Sequence, residues 1–200
     1  MNPSPSAAAV LARLLEGNQR FMRGEAQNAK FCKETLAQLA TGQKPHATIL
    51  GCSDSRVAPE VIFDAALGEL FVIRVAGNVM SPEVMGSIQY AAAHLGTLLF
   101  MVLGHEGCGA VHAALDAIHD GVQHRSRIAK LVEGIIPGVS GVSKDLAPDD
   151  QLQRAVEANV RWSMHQLMAT PEAKIRTDEG KLMLVGAVYE LATGRVRLLD

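Results

Sequence analysis

His46-Ala-Thr-Ile-Leu-Gly51-Cys52-Ser-Asp54-Ser-Arg56 passes from an apolar run to a cluster of reactive side chains within eleven residues. Residues 46–50 have the short, nearly continuous apolar character of a strand covered on both faces, and Gly51 closes the run. The pattern returns at 70–75 and at 98–103. The last of these again delivers reactive residues, His105-Glu-Gly-Cys108-Gly109. A fourth strand is read at 182–189, after which Gly194 turns the chain into 196–199, an antiparallel hairpin partner at a sheet edge.

Helical periodicity fills the intervals. Residues 6–23 carry Val10, Leu11, Leu14, Leu15 and Phe21 at helical spacing, and Gly24 ends them. Further helices are predicted at 30–40, 59–66, 82–95 and 109–119, within 124–136, and within 150–170. The Gly-, Ser- and Pro-rich stretch 137–148 reads as a loop. Strands alternating with helices specify an α/β fold. Its expected form is a mostly parallel central sheet of four strands plus one antiparallel edge strand, flanked by helices. A length of 200 residues suits one core, hence a single domain over 1–200.

Composition narrows the function. Apolar residues are 48% and charged residues 20%, as in a folded globular protein. A net charge of −2, no basic run and 4% aromatics argue against a nucleic-acid surface. No apolar stretch approaches the roughly 20 residues needed to span a bilayer, so no membrane partner is expected. No basic segment precedes the short apolar run after Pro5, so no secretory signal is read and a cytoplasmic location is expected. Cysteines at 32, 52 and 108 are an odd and sparse set, which suits thiols in a reducing compartment.

Ligands of open parallel sheets bind beyond the carboxyl ends of the strands, where strand order reverses. If the first and third strands are neighbours, Cys52 and the His105/Cys108 pair face each other across that crevice. Cys₂His is a catalytic zinc set, with a fourth position left open. Two thiolates cancel the charge of the cation and make it a weaker Lewis acid than a His₃ site. Arg56 offsets part of this by favouring hydroxide. Asp54 is the natural partner of the Arg56 fork. Its carboxylate has two possible uses: to accept a hydrogen bond from the nucleophile, or to swing in and take the fourth position. Cys32 and the remaining histidines have no ligand spacing and read as core or surface residues. The dinucleotide fingerprint, the Walker lysine pattern and the serine-hydrolase elbow do not occur.

At these residues the chain resembles the β-class carbonic anhydrases. The family's Cys-x-Asp-x-Arg and His-x-x-Cys motifs stand here as Cys52-Ser-Asp54-Ser-Arg56 and His105-Glu-Gly-Cys108. Gly17-Asn18-Gln19-Arg20-Phe21, Gly68-Glu69-Leu70-Phe71-Val72-Ile73-Arg74, Ala76-Gly77-Asn78 and Val188-Tyr189 extend the likeness along nearly the whole chain. The resemblance implies one zinc ion per chain and reversible hydration of carbon dioxide to bicarbonate and a proton, by attack of zinc-bound hydroxide. Cys52, His105 and Cys108 would be the ligands, and Asp54 and Arg56 the catalytic pair. Phe71, Val75 and Tyr90 match positions lining the family's apolar substrate pocket, with Gly109 in the same set. Gln43 matches a glutamine that reaches a neighbouring active site.

The resemblance also implies a homodimer or a dimer of dimers, in which a helical arm over 1–41 wraps the partner and 46–200 forms the core. Arg74 and Tyr189 match an arginine and a tyrosine around a bicarbonate pocket in some members, whose tryptophan position is Ile49 here. An open site with Asp54 paired to Arg56 is therefore expected. Glu106 departs from the small polar residue more usual there, and either raises the pKa of bound water or points to solvent. Hydrolysis of carbon disulfide or carbonyl sulfide on the same ligands is the alternative activity. A zinc-stabilised assembly module without turnover is the alternative from another class.

Overall fold

β1 (Ala47–Gly51) pairs in parallel with β2 (Leu70–Arg74) on one side and with β3 (Leu99–His105) on the other. β4 (Met183–Tyr189) joins β3 in parallel, and β5 (Val196–Leu199) closes the edge antiparallel to β4. The described residues thus form a five-stranded sheet in the order β2-β1-β3-β4-β5. These relations come from a computed structural model that describes residues 5–27 and 33–200. Cys32 and the beginning of the helix expected over 30–40 lie outside the described residues; the remainder is α2 (Lys33–Leu39).

Every residue of β1 and β3 is buried, as their continuous apolar runs require. β2 has the same kind of run but lies at the edge, half-buried, with Arg74 exposed. An apolar run reports that a strand is covered, not which surface covers it. One face of the sheet carries α1 (Ala7–Met22) and the single turn α3 (Pro59–Ile62), whose Val10, Leu14 and Ile62 meet Ile49, Met101 and Leu103. On the other face lie α4 (Pro82–Tyr90), α5 (Gly109–His119), α6 (Ser126–Val139) and α7 (Pro148–Met168), packed over Leu50, Phe100 and Val102.

Several boundaries differ from expectation. The helix expected over 59–66 is only the turn α3. The helix expected over 82–95 keeps its bounds, but its last part, Ala91–Leu95, is a π-helical turn ending in a left-handed cap at Gly96. The loop expected to start at 137 is instead helix as far as Val139, with Pro137 inside it. Ile135 and Val139 are fully buried there, and a Cβ on Gly138 would stand 2.5 Å from the Cβ of Trp162, so close packing outweighs one missing N–H near the helix end. A short helix, α8 (Pro171–Asp178), was not expected. Its eight residues bury Ala173 alone and show no periodicity, but Thr170 accepts from the Ala173 N–H and Pro171 opens the first turn.

Two contacts fix the frame around the site. A Cβ on Gly104 of β3 would lie 2.6 Å from Val160, and one on Gly186 of β4 would lie 2.7 Å from Met164, so the missing side chains let α7 press onto the sheet. On the opposite face, buried Asn18 of α1 donates to the carbonyls of Ile62 (3.2 Å) and Gly194 (2.8 Å) and accepts from the Val196 N–H (2.9 Å). One amide thereby joins α1, the end of α3 and the edge hairpin. Asn18→Ala is expected to lower unfolding stability by about 2–4 kcal/mol, since several buried backbone groups lose their partner. Urea unfolding checks this; a loss below about 0.5 kcal/mol would mean that the amide is dispensable.

Candidate metal centre

The β1–β3 register aligns Gly51 with Leu103, so the chain reaches Cys52 and His105 at adjacent strand ends. Cys108 follows one turn later, at the N-cap of α5. One ligand atom from each of Cys52, His105 and Cys108 lies within 4.8 Å of the others. All three are buried, His105 completely. Its Nδ1 lies 2.8 Å from the Glu106 carbonyl oxygen, which can only accept, so the proton belongs on Nδ1. Nε2 is left with a lone pair, buried and without a hydrogen-bond partner among the described residues. A buried, unsatisfied nitrogen converging with two sulfurs is the donor set of a closed-shell divalent cation.

The electrostatics agree. The nearness of the two thiols draws the Cys52 pKa down against the opposing effect of burial, and the same nearness with burial pushes Cys108 up. Without a cation the pocket thus favours one thiolate and resists a second. Burial disfavours the His105 imidazolium, yet the Cys52 sulfur, the Glu106 carbonyl and Asp54 together turn the shift upward. A pocket that favours one thiolate beside an imidazole nitrogen with a free lone pair has negative charge and a donor to offer a metal.

Around the donors stands a second set of contacts. Gly77, in the turn after β2, donates its N–H to Cys52 Sγ at 3.3 Å. Arg56 donates Nε and Nη2 to the two oxygens of Asp54 at 2.9 and 2.8 Å, and its backbone N–H adds a third bond at 3.0 Å. These bonds hold the Asp54 carboxyl well below the usual carboxylate range. Asp54 Oδ2 lies 3.9 Å from His105 Nε2, beside the donor cluster rather than in it. Arg74 donates to the carbonyls of Cys52 (2.9 Å) and Asp54 (2.6 Å), shaping the loop that carries both residues. Tyr189 and Ile49 belong to the core cluster beneath α1.

Glu106 is half-buried and bonded rather than free in solvent. Its backbone N–H donates to the Tyr189 carbonyl at 3.0 Å and its carboxylate accepts from the Leu191 N–H at 3.0 Å. It anchors the His105 loop to the β4–β5 turn. The expected substrate-lining residues divide into two groups. Val75 follows Arg74, the register partner of Gly51, and so stands level with Cys52. Phe71 lies four residues earlier, roughly 13 Å along β2, where its ring meets that of Tyr90 at a centroid distance of 6.2 Å. Gln43 is exposed before the amino end of β1, away from the carboxyl ends that bear the donors, while Gly109 is exposed at the first turn of α5. Residues that the sequence reading missed are Asn159 and Ser163 of α7, both buried and bonded to the Gly77–Asn78 turn. Their signal was two polar residues at i, i+4 on an otherwise apolar helix face.

A family model described as carbonic anhydrase matches residues 47–196. Carbonic anhydrase 2 of Mycobacterium tuberculosis is 42% identical over 203 residues, covering 99% of this chain and 95% of that protein. The structure of a Coccomyxa β-carbonic anhydrase in complex with acetazolamide superposes with a TM-score of 0.75 at 30% identity, covering 94% of this chain and 86% of that one. One of two tetrameric β-carbonic anhydrases from the ascomycete Sordaria macrospora gives 0.73 at 25% identity, covering 96% and 97%. Alike to these proteins in both sequence and fold along almost its full length, the chain belongs to the β-class of the carbonic anhydrase family.

Proposed function

We propose that this protein is a zinc enzyme that interconverts carbon dioxide and water with bicarbonate and a proton. In this reading Cys52, His105 and Cys108 hold the metal. The observation that carries the reading is the buried, unpartnered Nε2 of His105 among two sulfurs, in a chain of this family. Bound there, zinc supplies a Lewis acid that makes water nucleophilic near neutral pH. The Glu106 carbonyl keeps the His105 proton on Nδ1 and so holds the Nε2 lone pair ready.

Asp54 and Arg56 are the catalytic pair. The two-point clamp from Arg56 keeps Asp54 ionised and turned away from the donor cluster. Its remaining lone pairs accept a hydrogen bond from the attacking water and direct that oxygen toward the carbon of carbon dioxide. Val75 offers an apolar wall to a nonpolar gas. Phe71, Tyr90 and Gln43 lie too far along the strands to serve the same chain's donors. They therefore suit the site of a second copy, with Gly109 at the rim of its own. A homodimer or dimer of dimers follows from this division, with 1–41 as the N-terminal helical arm, whose α1 also packs on its own sheet, and 46–200 as the core of one domain. Half-buried, apolar β2 supports such an interface. Among the described residues no helix is long and apolar enough to cross a membrane. The sparse thiols, kept unpaired at Cys52 and Cys108, support a cytoplasmic setting.

Stopped-flow carbon dioxide hydration on metal-quantified protein tests the activity; zinc-loaded protein without turnover would refute it. Cys108→Ser is expected to lose most of its zinc and nearly all activity. Full zinc occupancy with normal turnover in that variant would remove Cys108 from the ligand set. Asp54→Asn keeps the shape while removing charge and an acceptor, so zinc should be retained and kcat/KM should fall by about 10²-fold or more. Unchanged kinetics would reduce the Asp54–Arg56 pair to a loop salt bridge.

A further inference from the structure

Fully buried polar side chains on an apolar helix face are unfavourable unless each finds a partner. Asn159 and Ser163 are 2% and 1% exposed, one turn apart on α7, among Ala155, Val156, Val160 and Leu167. Both direct their donors at one three-residue turn. Asn159 Nδ2 donates to the Gly77 carbonyl at 2.9 Å, and Ser163 Oγ donates to the Asn78 carbonyl at 3.1 Å. That turn is strained. Gly77 has φ +66° and Asn78 has φ +43°, two successive left-handed residues with their carbonyls turned into the core. Space is equally tight, because a Cβ on Gly77 would meet Ile135 at 2.7 Å and Ala110 at 3.0 Å. In this conformation the Gly77 N–H reaches Cys52 Sγ at 3.3 Å.

The geometry points to Asn159 and Ser163 as positioning residues for the Cys52 sulfur: they clamp the Gly77–Asn78 turn so that the Gly77 N–H stays aimed at the ligand atom. The inference rests on the proposal that Cys52 ligates the metal. An N–H bond to a thiolate withdraws electron density from sulfur and fixes the direction of its remaining lone pairs. Outer contacts of this kind typically alter metal affinity or activity 10- to 100-fold. The clamp depends on the seating of α7, since Val160, next to Asn159, occupies the space left by Gly104.

The test uses ¹¹³Cd-substituted full-length protein, because a hydrogen bond to a cadmium-bound thiolate transmits scalar coupling from the amide proton to the metal. Wild-type protein should show ¹H–¹¹³Cd coupling at Gly77, and Asn159→Leu and Ser163→Ala should weaken or abolish it. Chelator competition should find zinc affinity reduced about 10- to 100-fold in Asn159→Leu. Ser163→Thr, which keeps the hydroxyl, should restore both readouts relative to Ser163→Ala. Asn18→Ala removes an equally buried asparagine on the far face of the sheet, and should lower stability while leaving coupling and zinc affinity unchanged. Should Asn159→Leu fail to fold, the wild-type coupling and the Ser163 pair still decide. Stoichiometric cadmium on Cys52 without coupling at Gly77 would overturn the clamp alone. So would folded variants with wild-type coupling and affinity. Failure of wild-type protein to bind cadmium or zinc through Cys52 would instead overturn the metal reading beneath it.

Discussion

The parallel pairing of β1 with β3, Gly51 beside Leu103, is the constraint on which the site depends. From β1 the chain continues outward to β2, and from β3 it continues the other way to β4, so the order reverses between these two strands. The carboxyl ends at such a reversal are where ligands of open α/β sheets bind. Cys52 and His105 leave the sheet at that point, and Cys108 returns to it through the N-cap of α5. A shift of the register by one residue would turn every buried side chain of β1 toward the opposite layer and dismantle both cores at once.

Burying two sulfurs and an imidazole is costly unless something satisfies them. The surrounding structure supplies part of that: the Gly77 N–H on Cys52 and the Glu106 carbonyl on His105. One nitrogen lone pair remains unserved, and the surplus is negative. This donor set fits a cation better than it fits another side chain. The same economy appears at Asp54, whose carboxylate is clamped by Arg56 with a lone pair to spare and whose loop is fixed through its carbonyls by Arg74. Each acidic or nucleophilic group has a partner that limits its freedom, which is how a dry pocket keeps charges in one arrangement.

The donors were legible because their chemistry is local. A cysteine directly after one apolar run and a His-x-x-Cys directly after another need only the identification of two strands. The strands were legible for the same reason, being continuous apolar runs closed by glycine. The errors are equally physical. Pro137 signalled a break that the packing of Ile135 and Val139 overrode. Helix α8 is too short to show a period, and the position of β2 at an edge is invisible in a run as apolar as β1. The bond from the Leu191 N–H to Glu106 joins residues 85 positions apart and left no trace in the local sequence.

By itself the sequence determined the order of the strands and the pairing of Asp54 with Arg56, and singled out Cys52, His105 and Cys108 as candidate donors, since each reading rests on residues beside a strand end. Which strands are neighbours, and therefore whether the donors meet, was decided by tertiary structure through the β1–β3 ladder. The supporting contacts were decided there as well. Asn159 and Gly77 stand 82 residues apart and come together only because two glycines let α7 settle onto the sheet. Side-chain chemistry is a property of the residue, whereas its partners are set by packing between distant segments, and no local pattern encodes that distance.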